Sequence, residues 1–427
     1  LVGADGGGGM NASTLETARS VEAVTRRPPA PLAGFLGGVA LSQVVNSALH
    51  LAQPLLIAQL SGSLGHAAFF SAFDTAVHMG GSLVGGWPAD RLGARRLLAL
   101  STFLRGAALG LIPLLWFAGR LTLTAAMAAY TLDAFVRGFT DTAVHALPQE
   151  LGDGDRAELD RLNSSYELVF DLGGVAGPLI LGALMLGKPG PAAHIFVPVG
   201  FMLAAGAFLF IPERRAATAG RRSGAHGGTF AGLRLILTDR SLLYAGLGVA
   251  VLNLYPLRKL LSAFFAKAIL AQSHAAGWVG AAFGFGGALG ALAYARSGGR
   301  GDGSRWVAAG GLGVLLLAAG WAPGSLWPMM FAAFAFALAN VGARLALTRR
   351  LQERTPSGAI GGVTAVSRFA ANGVSVGLKS LVGAAFVMGA SPRGAFAVVG
   401  AGLATVALAQ FGLAAHLRST GGRAPLS

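Results

Sequence analysis

Residues 161–182 read RLNSSYELVFDLGGVAGPLILG. Glu167 and Asp171 stand one helical turn apart at the head of an apolar run that then carries Gly173, Gly177, Pro178 and Gly182. In a water-soluble helix, glycine and proline at that density cost several kcal/mol. In lipid they let neighbouring backbones approach closely and bend the axis, and acids at membrane depth mark working positions. The stretch is therefore expected to be a functional membrane helix.

The rest of the chain agrees. Its 427 residues are 54% hydrophobic and 12% charged, against roughly 25% charged residues in soluble domains, so an all-α membrane protein is expected. Runs of about 18–25 apolar residues fall at about 32–60, 67–89, 97–119, 122–148, 160–187, 194–212, 241–270, 276–296, 306–322, 326–348, 359–388 and 393–417. These twelve expected transmembrane helices form two six-helix bundles, 31–212 and 241–417. The longest polar segment, Pro212 to Arg240, holds Arg214, Arg215, Arg221 and Arg222 and reads as a cytoplasmic linker (213–240). Residues 1–30 and 418–427 read as tails, and Leu1 to Gly9, which precede the first methionine, as a non-native leader with Met10 as the start.

Lys and Arg concentrate in the tails and in the loops after the even-numbered spans, whereas the opposite loops carry only Arg120, Lys188, Lys267 and Arg393. The positive-inside rule then places both termini in the cytoplasm. The same scatter of basic residues through short loops explains the net charge of +15 without nucleic acid. The lack of cysteine excludes disulfides, thiolate metal ligands and cysteine nucleophiles. No Ser/His/Asp grouping, nucleotide loop or metal cluster stands at usable spacing, so neither an enzyme nor a cofactor is expected.

After the second span comes GWPADRLGARR, Gly86 to Arg96. This resembles the signature of the major facilitator superfamily in the loop between helices 2 and 3, with Gly86, Asp90, Arg91, Gly93, Arg95 and Arg96 in the matching places and Ala94 where a base is usual. The resemblance implies two bundles rocking about a central site, with this loop as a conformational latch. Gly173, Gly177, Pro178 and Gly182 resemble the antiporter motif on helix 5 of the drug:proton antiporters of that superfamily, which implies export. The helix 4 motif of that branch departs: Arg137 is followed directly by Gly138 rather than by a glycine three or four residues on.

Each ionisable group at membrane depth costs at least a few kcal/mol, so it faces a cavity or a partner. In the first half the embedded acids are Asp74, Asp133, Asp141, Glu167 and Asp171, with Arg105 and Arg137; the second half holds Arg258, Lys259, Arg344, Arg368 and Lys379 and no embedded acid. Asp133, Arg137, Asp141 and His145 recur every four residues, as do Asp74 and His78, while Gln43, Asn46, His50 and Gln53 lie three or four apart. Helical periodicity puts each set on one face, and the three faces are expected to converge on one wet cavity, with Asp141 paired to Arg137. Aligning the halves sets Asn163 against Thr364, Glu167 against Arg368 and Asp171 against Asn372, as a two-half transporter would. Pro256 is expected to kink the seventh span near Tyr255, Arg258 and Lys259.

The reading that follows is a monomeric, multi-pass inner-membrane protein that exports a small amphipathic or anionic molecule in exchange for protons, with a carboxylate-type siderophore as the favoured substrate. Asp171, Asp74, Glu167, Asp133 and Arg137 are the proton-coupling candidates. Gln43, Asn46, His50, Tyr255, Lys259, Asn340, Arg344, Arg368 and Asn372 are the substrate-binding candidates, the arginines because their planar fork suits a carboxylate. A lysophospholipid-type lipid translocase, a multidrug efflux pump and a metal-ion exporter are the alternatives.

Overall fold

A computed structural model describes residues 30–151, 156–186, 192–211, 229–239, 242–243, 246, 248–249, 255–297, 303–355 and 360–420. Among the described residues every regular element is helical. In the first half these are α1 (Ala30–Ser61), α2 (Leu64–Val84), α3 (Gly86–Leu92), α4 (Ala94–Phe117), α5 (Leu123–Leu151), α6 (Arg156–Leu184) and α7 (Ala192–Leu209). The short α8 (Thr229–Thr238) follows, then α9 (Tyr255–Phe264) with a π-helical turn at Phe265–Ile269. The chain continues through α10 (Ala275–Arg296), α11 (Ser304–Gly320), α12 (Leu326–Arg354), α13 (Ile360–Val387) and α14 (Pro392–Thr420).

Six of these helices are long and apolar enough to cross a membrane: α1, α4, α10, α12, α13 and α14. Their outer faces leave large apolar side chains such as Phe103, Leu114, Phe331 and Leu408 uncovered. A water-soluble monomer does not tolerate apolar surface on that scale; a bilayer does.

One sequence expectation changes. The segment 213–240 is not polar linker throughout, because α8 folds within it and buries Ile236 with Leu242, Leu351 and Val363. The expected kink of the seventh span at Pro256 lies against residues outside those described; within the described part the helix departs from α geometry in the π turn at Phe265–Ile269.

Among the described residues, apolar packing joins the halves at one end only. One continuous core runs through both, from Leu51, Leu56 and Phe70 of the first half to Phe264, Phe336 and Phe396 of the second. Toward the other end the cores are separate, one around Phe35, Leu98, Leu147 and Phe208 and others around Val307, Leu347 and Leu417 or around Ile236. Sealed at the end bearing the α1–α2 and α13–α14 turns, the bundle is split at the opposite end.

Candidate functional site

The site begins with a glycine. Gly138 is the place where α5 crosses α2: a Cβ there would collide with the backbone of Gly81 and Ser82, and one on Gly81 with the carbonyl of Phe135. Only paired glycines let the two backbones touch. The contact sets two rungs between the helices. Arg137 Nη2 donates to Asp74 Oδ2 at 2.6 Å, and one turn along, His78 Nε2 lies 2.8 Å from Asp141 Oδ2. The rungs are swapped: the acid stands on α2 in the first and on α5 in the second. Gly138, which departs from the family spacing, is thus what presents Arg137 to its partner.

From the first rung the polar network runs sideways. Gln53 of α1 donates its amide to Asp74 Oδ1 at 2.9 Å, and Arg137 Nη1 stands 3.4 Å from His50 Nε2 and 3.8 Å from Asp133 Oδ2. Arg105 of α4 donates to Asp133 at 2.7 Å and to the Asn46 carbonyl oxygen at 2.8 Å, with its guanidinium 4.2 Å over the Phe201 ring. Asp74, Arg105, Asp133 and Arg137 are all buried, so each charge is paired as burial demands. From the second half, Lys379 of α13 donates to the Ser71 carbonyl at 3.1 Å and to the Thr75 hydroxyl at 2.8 Å.

These groups wall a cavity of about 210 Å³ between the halves. Side-chain exposure along its wall rises from 5% at Asp74 to 50% at Asp141, so it opens toward the split end. Gln43, Asn46, His50, Asp74, Arg137, Lys259 and Asn372 line it as the sequence implied, and Asp133 stands just behind Arg105. Asn340, Arg344 and Arg368 do not line it: Asn340 is buried elsewhere in the second half, and Arg368 is exposed. Asp141 pairs with His78 rather than with Arg137, because Arg137 is already engaged by Asp74 and Asp133. The side chains of Asp90, Asn163, Glu167, Asp171 and Tyr255 lie outside the described residues. Among the described residues no group of three or more His, Asp or Glu is placed to hold a metal ion.

Sequence reasoning did not assign Arg105, Lys379, Ser71 or Thr75 to the site. The Ser71-x-x-x-Thr75 spacing beside Asp74 was the available signal. The loop motif forms α3, in which the Arg91 guanidinium sits 4.2 Å over the Trp87 ring, closed by Gly93 at φ +78. Arg95 ties the start of α4 to the Leu209 carbonyl at the end of α7. The helix motif faces two ways: Gly173 and Gly177 seat α6 on α1 at Gln43, Val44 and Ser47, whereas Pro178 and Gly182 touch Gly277 and Gly280 of α10 across the halves.

A helical bundle split at one end, with a charged cavity between two halves, is the fold of the major facilitator transporters, as the Gly86–Arg96 motif implied. No protein-family model matches the chain. It is similar to the multidrug efflux pump Tap of Mycobacterium tuberculosis, 29% identical over 257 residues covering 57% of this chain and 60% of that protein. The Mycolicibacterium fortuitum pump of the same name is 28% identical, over 64% of this chain and 68% of that one. The aligned region thus spans about 60% of the length of the first of these relatives. Among solved structures, the bacterial homologue of the human lysosomal transporter Spinster, inward-facing and unoccupied, matches with a TM-score of 0.69 at 15% identity, covering 93% of this chain and 98% of the other. The nucleoside transporter NupG matches at 0.65 and 12%, over 92% and 100%. These relatives and neighbours are transporters, none an enzyme.

Proposed function

We propose that the chain exports small amphipathic molecules in exchange for protons, by rocking of two six-helix bundles about the cavity. In this reading twelve spans cross the inner membrane, both termini are cytoplasmic, the protein works as a monomer, and the split end faces the cytoplasm. The observation that carries the coupling is the buried Asp74–Arg137 pair on the cavity wall. A proton reaching Asp74 removes the charge that holds Arg137, and the freed guanidinium must find other acceptors in a low-dielectric wall. His50, Gln53 and Asp133 surround that exchange. Asp171 and Glu167 are further proton carriers in this proposal, and Gln43, Asn46 and Asn372 supply neutral contacts to substrate. The efflux-pump relatives support the substrate class.

A second reading, export of an anionic carboxylate-type siderophore, is favoured by Lys259 and Lys379 on the cavity wall. It loses the support expected from Arg344 and Arg368, which do not line the cavity. Proteoliposomes with an imposed pH gradient decide between the two, with chloramphenicol, ethidium and ferric citrate as neutral, cationic and carboxylate probes. The expected result is gradient-driven accumulation of the amphipathic probes, lost in Asp74→Asn. Movement of ferric citrate alone would favour the siderophore reading, and flux of every probe indifferent to the gradient would sink proton coupling.

A further inference from the structure

Lys379 belongs to the second half, yet it donates two hydrogen bonds to α2 of the first, at Ser71 and Thr75. Those two residues bracket Asp74 on the same helical face, so the buried ammonium sits within a turn of the carboxylate that Arg137 and Gln53 hold. It lies at the inner edge of the seam between the halves. One turn further along α13, Gly383 packs on Phe69, and beyond it Val387 packs on Gly65. A movement that parts α2 from α13 at this seam takes Lys379 away from Asp74 and leaves Arg137, on a helix of the same half, in place.

We infer that Lys379 makes the charge of Asp74 depend on which end of the protein is open. While the seam is closed, the ammonium adds to Arg137 in holding the carboxylate charged. When the seam parts, Asp74 keeps Arg137 and Gln53 but loses the ammonium, and accepts a proton more readily. Linkage is reciprocal, so a proton on Asp74 favours the parted seam by the same factor by which parting favours the proton. The inference rests on the proton-coupled reading above and gives it a direction: protons enter from the seam end and leave toward the end that the cavity now faces. The charged or titratable groups around Asp74 on neighbouring helices include His50 of α1, Arg105 of α4, Tyr130, Asp133, Arg137 and Asp141 of α5, Lys259 of α9 and Lys379, with His78 on α2 itself. Of these, Lys259 and Lys379 belong to the second half, and Lys379 is the one tied to α2 at Ser71 and Thr75.

The chain has no cysteine, so spin labels on His66→Cys in α2 and on Met388→Cys just past α13, both exposed, report the seam without background. Pulsed electron resonance distances in detergent, from pH 8.5 to pH 5, give the ratio of parted to closed protein. A one-unit difference in proton affinity between the states moves that ratio about tenfold, and a rise of that size on acidification is the expected result. Asp74→Asn should remove the pH response. Lys379→Gln should flatten it to less than about threefold, and Lys379→Arg should preserve it. Lys379→Met repeats the measurement should the glutamine variant fail to fold. The inference is overturned if Lys379→Gln shifts the ratio equally at every pH, the mark of a simple strut, or if the unsubstituted seam ignores pH. Because no transport is read, a pH-driven seam in a protein that moves no probe would overturn the export reading and leave this one standing.

Discussion

Two helix crossings in this molecule are built alike and do different work. α2 crosses α5 at Gly81 and Gly138, inside the first half, and α6 crosses α10 at Gly182 and Gly277, between the halves. Both bring backbones into contact through glycine. The first is then locked by the buried Asp74–Arg137 ion pair, with His78 and Asp141 in contact one turn along. The second is a packing contact, Gly182 and Pro178 on Gly277 and Gly280 and Val175 on Gly284, with no ion pair between the two helices among the described residues. A crossing held by buried ion pairs cannot separate without stranding charge. One held by close packing in lipid loses little directionality and can slide or part. On the proposed function, the contrast would make the first half the rigid body that carries the proton site, and the seam the place where movement occurs.

Breaking the locked crossing should have the largest effect. Arg137→Met leaves Asp74 buried without its ion-pair partner and should lower stability by about 3–5 kcal/mol, read as thermal unfolding in detergent. Adding Asp74→Leu to that variant should recover much of the loss while transport stays absent; failure to recover would place the cost in packing. Gly138→Leu pushes the same helices apart and should cost about 1–3 kcal/mol, abolishing transport by misplacing Arg137. At the seam, Gly277→Leu should leave stability nearly unchanged, because the helices can part, but shift the His66–Met388 label distance toward the parted population. A large loss of stability there would erase the difference between the crossings. The smallest effect is expected from Arg344→Gln and Arg368→Gln, which lie off the cavity: stability within about 0.5 kcal/mol and little change in probe flux.

Much of this was legible in the chain. The four-residue spacing of Asp133, Arg137 and Asp141 and the polar face from Gln43 to Gln53 identified the cavity walls, because helical periodicity fixes which residues share a face. Periodicity does not fix how a helix is rotated against its neighbours, so it could not tell that Asp141 meets His78 or that Arg368 stands off the cavity lining. Nor could pairing across the halves be read, since Lys379 meets Ser71 and Thr75 from some three hundred residues away. α8 escaped notice because ten residues are too few to register as a span. The Gly86–Arg96 motif pointed to the fold directly, but gave no hint that Arg95 anchors the end of α7.

The central claim, that Asp74 couples substrate movement to protons, is tested most directly by watching the protons themselves. In proteoliposomes loaded with a pH-sensitive dye and held without an initial pH gradient, an outward gradient of chloramphenicol should drive measurable proton movement in the opposite direction. Asp74→Asn should abolish that movement while the protein still binds the drug. Drug flux with no accompanying proton movement, or proton movement that persists in Asp74→Asn, would contradict the account.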